Sequence, residues 1–327
     1  MRIVYIYRAI GLGFSIDSVF RPIQNAMKDH CEVNEVNFDK PDYKIQTIIK
    51  NIQKVRHYMK DNPNDIIHIT GAEHYLLPFL KKYKTVVTVH DLGFFTTQKK
   101  TIKVLLKYPL WIYSLKYADK VTFISDKSKQ EAMNLVHLDS KKVAVIMNPV
   151  SDGFKPRENH EYNGNKPVVL FVGTGVNKNL PRTVEALKGI ECSLRIIGEL
   201  SQEYRNMLDE SGIEYSQTQG LSNEQMIQEY QNCDIVSFAS MTEGFGMPII
   251  EGQAVGKVIL TSNISPMKEV ADGSCVLVDP FDVDSIHNGF IEAINNHEKY
   301  EMLGKKNVKR FSLKNVVNEY YELYKTL

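Results

Sequence analysis

Cysteine is scarce and scattered in this chain. Cys31, Cys192, Cys233 and Cys275 form no CxxC pair, which excludes a zinc-ribbon or disulfide framework and leaves four small, buried-type residues. Charge of one sign is equally lacking. A formal net charge of +1 over 327 residues gives no electrostatic footprint for a nucleic-acid partner. No uninterrupted apolar run approaches the roughly 18 residues of a membrane span. The opening residues MRIVYIYRAIGLGF lack the long apolar core and small-residue cleavage site of a signal peptide. The expected setting is cytoplasmic, with a peripheral position at the inner face of a membrane left open. There is no internal repeat with a period of roughly 20–50 residues and no low-complexity tract.

What is present is a globular composition, 43% hydrophobic and 24% charged, long enough for about two domains. Short β-branched runs alternate with longer helical patterns, the order of βαβ units and parallel sheets. RIVYIY (2–7), DIIHIT (65–70), TVVTVH (85–90), KVTFIS (120–125) and KVAVIM (142–147) read as buried strands, and SVFRPIQNAMKDH (18–30) as a helix. The stretch 148–167, rich in Pro, Gly, Asn and charge, runs for about twenty residues without apolar periodicity and reads as an interdomain linker. The pattern then restarts with PVVLFVG (167–173), SLRIIG (193–198), CDIVSFAS (233–240), KVILTS (257–262) and CVLVD (275–279). The fold class expected is α/β, two doubly wound parallel-sheet domains in tandem. Such sheets bind ligands at the carboxyl ends of their strands.

Several motifs fall at those ends. Gly11 and Gly13 follow the first strand, but Ile16 breaks the full G-x-G-x-x-G fingerprint. A tight turn and a ligand-binding loop both remain open there. FVGTGVNKNLP (171–181) repeats the design with Gly173, Gly175, Lys178 and Pro181. It is not a Walker A loop. Lys178 reads either as a clamp on a diphosphate or as a solvated lysine. His90 and Asp91 close the strand TVVTVH; a neutral imidazole can meet a sugar hydroxyl, with Asp91 fixing its tautomer, and a structural histidine is the alternative. His68 reads as structural and His74 as ambiguous. Asp284, in FDVD, reads as a helix cap rather than a metal ligand. The strongest stretch is TEGFGMPIIE (242–251). Glu243 precedes Gly244, Phe245, Gly246 and Met247, Pro248 suits the first helical position, and Glu251 lies one turn in. Amides at such a helix start favour anions, while two carboxylates favour hydroxyl donors. Whatever binds there should carry a negative charge and also a group that seeks an acceptor.

Ser240, Glu243, Gly244, Phe245, Gly246, Pro248, Glu251, Gly256, Ser262, Pro266, Glu269 and Asp279–Pro280 stand in the order of a known signature. The sequence here resembles the donor site of the family-4 retaining glycosyltransferases. TVVTVHD, ADKVTFISDKSK, VNKNL and RFSLKNVVNEYYELY carry the likeness in weaker form. The resemblance implies the GT-B fold, two Rossmann-like domains facing across a cleft. Residues 1–150 would form the acceptor-side domain and 151–313 the nucleotide-sugar domain, with 314–327 a helix crossing back to the first. It also implies a nucleotide-sugar donor, a glycan or lipid-linked acceptor, retention of anomeric configuration, and no metal or other cofactor. Glu243, His90 and Lys178 would be catalytic, Glu243 holding the transferred sugar, His90 meeting it from the other domain and Lys178 neutralising the diphosphate. The donor would be bound by Gly11, Gly13, Gly173, Thr174, Gly220, Leu221, Gly244, Phe245, Gly246, Met247 and Glu251. A positioning role for Glu243 and a role as nucleophile both stand.

Two positions depart from the family pattern: Thr174 and Asn177 occupy places where relatives often carry a phosphate-binding arginine, and Arg182 is a candidate substitute. A sugar-nucleotide epimerase or hydrolase and a non-catalytic sugar-nucleotide-binding subunit are the rival functions. KKTIKVLLKYPLWIYSLKY (99–117) mixes lysines with apolar residues. It reads as a peripheral contact with an anionic membrane or as an amphipathic helix interrupted at Pro109.

Overall fold

A computed structural model describes residues 1–9, 15–92, 108–158 and 162–327. Gly11, Gly13 and the 99–107 part of the lysine-rich segment lie outside the described residues. The chain divides into two compact units, Met1–Pro149 with Leu313–Leu327, and Val150–Ser312.

The first unit carries a six-stranded parallel sheet in the order β2-β1-β3-β4-β5-β6. Its strands are β1 (Arg2–Tyr7), β2 (Glu32–Asn37), β3 (Ile66–Ile69), β4 (Thr85–Val89), β5 (Lys120–Phe123) and β6 (Val143–Val145). The central strands β3 and β4 are buried throughout, as continuous apolar runs require when helices cover both sheet faces. The outer strand β6 is only half-buried, a correction to its reading as a buried strand. The other outer strand, β2, has no counterpart among the strands read from the sequence, because its residues EVNEVN are mostly polar and exposed. Two helices follow β1 and β2, α1 (Ser15–Met27) and α2 (Ile45–Asp61). A third, α3 (Asp126–Leu135), starts from a capping box between Ser125 and Ser128.

Under the sheet lies a polar thread in an apolar core. His68, on β3, is fully enclosed; its Nδ1 is 2.5 Å from the Tyr324 hydroxyl and its Nε2 2.8 Å from Thr88 Oγ1. Tyr324 also reaches the Tyr5 hydroxyl at 3.2 Å, and Thr88 exchanges hydrogen bonds with Thr122 and Tyr320. The chain's last helix, which supplies Tyr320 and Tyr324, is thereby built into the first unit. His68 has the structural role expected of it.

The second unit holds β7 (Val168–Val172), β8 (Ser193–Ile197), β9 (Glu214–Thr218), β10 (Ile235–Phe238), β11 (Val258–Ser262) and β12 (Val276–Val278). The parallel order β12-β11-β10-β7-β8-β9 is the doubly wound Rossmann arrangement, with strand order reversing between β7 and β10. The intervening helices are α4 (Leu180–Leu187), α5 (Gln202–Ser211), α6 (Asn223–Asn232), α7 (Met247–Ala254), α8 (Met267–Ala271), α9 (Val283–Asn295) and α10 (His297–Asn307). The last helix, α11 (Leu313–Lys325), belongs to the first unit. The cap of α9 is Asp282, whose carboxylate accepts from the Asp284 amide at 3.0 Å. Asp284 lies inside the first turn instead of capping it, so the helix begins earlier than the Asp284–Ser285 reading places it.

Burial holds the His68 ring neutral, its pKa lowered to about 3 from 6.5, and lowers His74 and His90 to about 4. A depressed folded pKa gives stability that is present above the unfolded value and is lost as pH falls through the folded one. All three rings lie in the first unit. Hydrogen exchange, corrected for its intrinsic pH dependence, is therefore expected to accelerate in that unit between pH 6.5 and about 4, with a smaller change in the second. Equal acceleration in both units would contradict the assignment.

Candidate functional site

The site builds from the place where the second sheet reverses its strand order. β7 and β10 are hydrogen-bonded neighbours there, and the loops leaving them diverge around a crevice of the kind that binds ligands. After β7 the chain turns at Gly173 with φ of +85°, and a Cβ at this position would stand 3.1 Å from Lys178 Cε. Glycine is needed on both counts. The lysine stem crosses it, placing Nζ 4.7 Å from the centroid of the Phe238 ring and 2.7 Å from Glu243 Oε1. The two side chains are 22% and 15% exposed. Removing one charge would leave its partner largely sheltered from water, a costly state.

Neighbouring side chains hold this pair in place. Asn177 donates from Nδ2 to Glu243 Oε1 and to the Thr242 carbonyl, both at 3.2 Å, and its own carbonyl accepts from the Met241 amide at 2.8 Å. Asn179 adopts a left-handed conformation, φ 70°, and is buried; its Nδ2 donates to the carbonyls of Ala239 at 3.1 Å and Pro280 at 2.6 Å. Asparagine tolerates that backbone conformation better than most side chains. Arg182 stands one turn into α4, and its Nη1 donates to Asn179 Oδ1 at 3.0 Å. Thr174 turns its hydroxyl to the Glu199 carbonyl at 2.6 Å, tying the ends of β7 and β8 together.

Beyond Glu243 the chain enters α7 through Gly246, whose φ of 126° is rarely adopted by other residues and which offers no side-chain cap. The first helical residue is Met247, so Pro248 falls second in the turn and not first. Phe245 is buried against Phe311, ring centroids 6.0 Å apart. Glu251 accepts a hydrogen bond from the Tyr230 hydroxyl at 2.6 Å. Burial raises its pKa, opposed by that hydrogen bond and by the charge of Lys178. Lys178 thus stands in the field of two carboxylates. Gly220, φ 68°, and Leu221 follow β9, two strands from β7 in the same sheet. The structure therefore gathers Gly173, Lys178, Glu243–Met247 and Glu251, while Gly220 and Leu221 stand at the outer strand.

In the first unit His90 lies at the end of β4, its Nε2 2.8 Å from the Thr70 carbonyl. A carbonyl only accepts, so Nε2 carries the proton and Nδ1 is left as an acceptor. The Thr70 carbonyl sets this tautomer, in place of Asp91 as expected. His90 lines a cavity of about 300 Å³ with Arg8, Tyr43, His74 and Trp111.

A model of glycosyl transferases group 1 matches residues 152–310, and a glycosyltransferase family 4 model matches residues 22–153. The chain belongs to the family-4 glycosyltransferases. Among curated relatives of this glycosyltransferase is the Escherichia coli O-antigen chain mannosyltransferase B, 24% identical over 297 residues that span 82% of this chain and 76% of the relative. Another, from the same organism, is named UDP-Gal:alpha-D-GlcNAc-diphosphoundecaprenol alpha-1,3-galactosyltransferase, 23% identical over 76% of this chain and 71% of its own. A glycosyltransferase structure from Rickettsia africae ESF-5 superposes with a TM-score of 0.77 at 19% identity, covering 99% of this chain and 98% of the other. Anabaena HepE in complex with UDP and glucose gives 0.77 at 15% over the whole of both chains. The fold is α/β of the GT-B class, two Rossmann-like sheet units in one chain.

Three residues near the candidate sites, two in the second unit and one in the first, escape a sequence reading. Tyr230 gives no sign of its bond to Glu251, because the two meet only when α6 packs beside α7. Asn179 carries a signal, an asparagine directly before Leu-Pro at a helix start. The third is Glu73, beside the first-unit cavity. It is 1% exposed, and a Cβ on Gly71 would stand 2.9 Å from its Oε2. Burial pushes its pKa up to about 7, against the pull of its own amide, Arg8 and the Tyr43 hydroxyl, with Asp17 adding to the rise.

The sign for Glu73 is opposite to that of the histidines. Its raised folded pKa means that stability is fully present below the usual carboxylate range and is lost as pH rises through about 7. Trp111 is the chain's one tryptophan, and its ring lies 5.6 Å from that of Tyr43. A pH titration of tryptophan emission should show an inflection near 7 that Glu73→Gln abolishes. An unchanged inflection in that variant would assign the titration to another group.

Proposed function

We propose that this glycosyltransferase moves a hexose from a nucleoside diphosphate sugar to a hydroxyl of a glycan or lipid-linked acceptor, with retention at the anomeric carbon, in polysaccharide synthesis. One observation carries the reading: Lys178, Glu243 and Glu251 share one electrostatic cluster at the strand-order reversal of a Rossmann sheet. A cation flanked by two acceptors suits a ligand that is anionic at one end and rich in hydroxyls at the other. The names of the relatives support the choice, since they include mannosyltransferases of O-antigen chains and a galactosyltransferase whose name contains UDP-Gal.

Each residue then has a chemical task. Lys178 meets the negative charge that grows on the diphosphate as the glycosidic bond breaks, the electrostatic stabilisation that usually dominates such steps. The amide-bearing start of α7 adds the positive end of its dipole. Glu243 accepts from the hydroxyls of the transferred sugar and holds its ring in place, and Glu251 accepts from the ribose hydroxyls. Asn177 keeps Glu243 aimed, a different use from the phosphate binding of an arginine. In the first unit His90, neutral with Nδ1 as acceptor, recognises a sugar hydroxyl. We favour front-face substitution, in which the departing phosphate oxygen takes the acceptor's proton, so that the new glycosidic bond forms as the old one breaks on the same face.

The test is transfer measured across a panel of uridine and guanosine diphosphate hexoses with glycan and lipid-linked acceptors. Lys178→Ala and Glu243→Gln are expected to lower kcat by roughly 10²–10³, and each should also lower the melting temperature, because the sheltered partner charge is left unpaired. Chelation of divalent metal should leave the rate unchanged, since protein groups carry the leaving-group charge. Near wild-type rates in both variants would remove the proposal's basis. Turnover of the donor without any acceptor would point to an epimerase or hydrolase instead.

A further inference from the structure

One carboxyl of the first unit is enclosed with an oxygen left over. Glu73 is 1% exposed, and its Oε2 has no hydrogen-bond partner among the described residues. Buried polar atoms are nearly always paired, so an exception marks a position built for something else. The atom lies at a cavity wall. A Cβ on Gly71 would stand 2.9 Å from Oε2 and 3.5 Å from Ile16 Cδ1, and Gly71 and Ile16 both line the cavity of about 300 Å³ that His90 enters. Glycine at position 71 lets the carboxyl rest against that lining.

The rest of the lining suits a hydroxylated ring. Trp111 and Tyr43, ring centroids 5.6 Å apart, supply apolar faces. His74 donates from Nδ1 to the Trp111 carbonyl at 2.8 Å, so its Nε2 is an acceptor, as Nδ1 of His90 is. Two imidazole acceptors and a carboxyl oxygen call for a ligand that donates, and Asp91 in the same lining disfavours an anion. The volume falls at the lower end of small-molecule sites, roughly 300–1,000 Å³, which fits one ring better than a chain of them.

We propose that Glu73 is a specificity-determining residue of this glycosyltransferase: its Oε2 accepts a hydrogen bond from one hydroxyl of a hexopyranose ring seated in the cavity beside Trp111 and Tyr43. The inference rests on the reading of His90 as a sugar contact and adds the side chain that selects among hydroxyl patterns. The ring belongs to the acceptor or to the transferred sugar. Until it arrives, burial keeps the carboxyl neutral up to about pH 7. A hydroxyl donates more strongly to a carboxylate than to the neutral acid, so occupancy favours ionisation and affinity rises as pH passes through about 7. The charged and titratable groups around Glu73 are Arg8, Asp17 on α1 and Tyr43, with His74, His90 and Asp91 in the cavity lining. Both histidines stay neutral above about pH 4, and burial raises the Tyr43 phenol further beyond neutrality.

Trp111 is the chain's one tryptophan, so its emission reports ligand in the cavity without a label. The full chain is titrated with the methyl α-D-pyranosides of mannose, glucose and galactose, with monodeoxy analogues of the tightest binder, and with uridine and guanosine diphosphate hexoses. At least one methyl glycoside or nucleotide hexose is expected to change the emission saturably; a response to the methyl glycosides assigns the ring to the acceptor, and a response confined to nucleotide hexoses assigns it to the donor. Glu73→Ala should weaken that binding by about tenfold to a hundredfold. One deoxy analogue should bind wild type as weakly as the parent sugar binds Glu73→Ala, and should be indifferent to the substitution, the mark of a direct contact. Glu73→Gln, which keeps the side chain's size, should lose the tightening between about pH 6 and about pH 8. If Glu73→Ala does not fold, the deoxy series on Glu73→Gln decides. No emission change with any sugar, an equal loss for every deoxy analogue, or an unaltered pH profile in Glu73→Gln would overturn the proposal. The readout needs no turnover: failed transfer with Glu73-dependent binding would sink the reaction alone, and transfer without that dependence would sink this inference alone.

Discussion

Strands β7 and β10 lie side by side although more than sixty residues of chain separate them, and the Lys178–Glu243 pair exists only because of that pairing. Two β-branched runs, VVLF and IVSF, are apolar enough to be buried centrally, where parallel strands are stable. Once they are neighbours, their exit loops must share the crevice above them. The polar groups of those loops then become obligatory partners. Asn179 satisfies two carbonyls that the turn would otherwise bury, and Asn177 fastens the loop that carries Glu243. The positions that look like departures from a phosphate-binding pattern are therefore occupied by residues that fix the carboxylate and close the sheet edge. The site's geometry is a product of strand order as much as of the motif itself.

The first unit presents a different electrostatic problem. It encloses three imidazoles and a carboxyl in surroundings of low polarity, and each answers by favouring its neutral form. The histidines resist protonation and Glu73 resists ionisation, so the two act in opposite directions: the imidazoles cost stability as pH falls below about 6.5, and Glu73 loses its contribution as pH rises through about 7. His68 is fully satisfied by hydroxyls on both ring nitrogens, which makes it a structural member of the core. His90 and His74 each have one ring nitrogen bound to a backbone carbonyl, and both line the cavity.

Much of this was legible in the sequence, for identifiable reasons. Central strands announce themselves as unbroken β-branched runs, and the TEGFGMPIIE stretch carries its chemistry in consecutive residues, so both the α/β class and the Glu243–Glu251 cluster could be read directly. Two of the four outer strands, β2 and β9, could not. EVNEVN and EYSQT are half-solvated, with few apolar side chains to distinguish them from loops, and only pairing with β1 and β8 makes them strands. Local ambiguity explains the smaller errors. Asp282 and Asp284 are equally good caps on paper, and the helix register decides between them. His90 and Asp91 are adjacent in the chain, but the imidazole proton is held by Thr70, twenty residues away, through strand packing. Glu73 in GAEHYLL looks like any surface glutamate, since its burial arises from the tertiary fold alone.

The last helix, whose Tyr324 reaches His68 beneath the first sheet, makes that sheet discontinuous in the chain. Unit 1 is interrupted by the whole of unit 2 and resumes only at Leu313. A ribosome synthesising this protein releases β1 to β6 long before the residue that completes their core. Unit 2, by contrast, is continuous and has all its strands by Val278. Domains generally fold as units while the chain emerges, and the usual order favours the N-terminal one. Here the covalent order works against it: His68 waits through synthesis of a second domain for its hydroxyl partner, and the first unit to begin is the last that can finish.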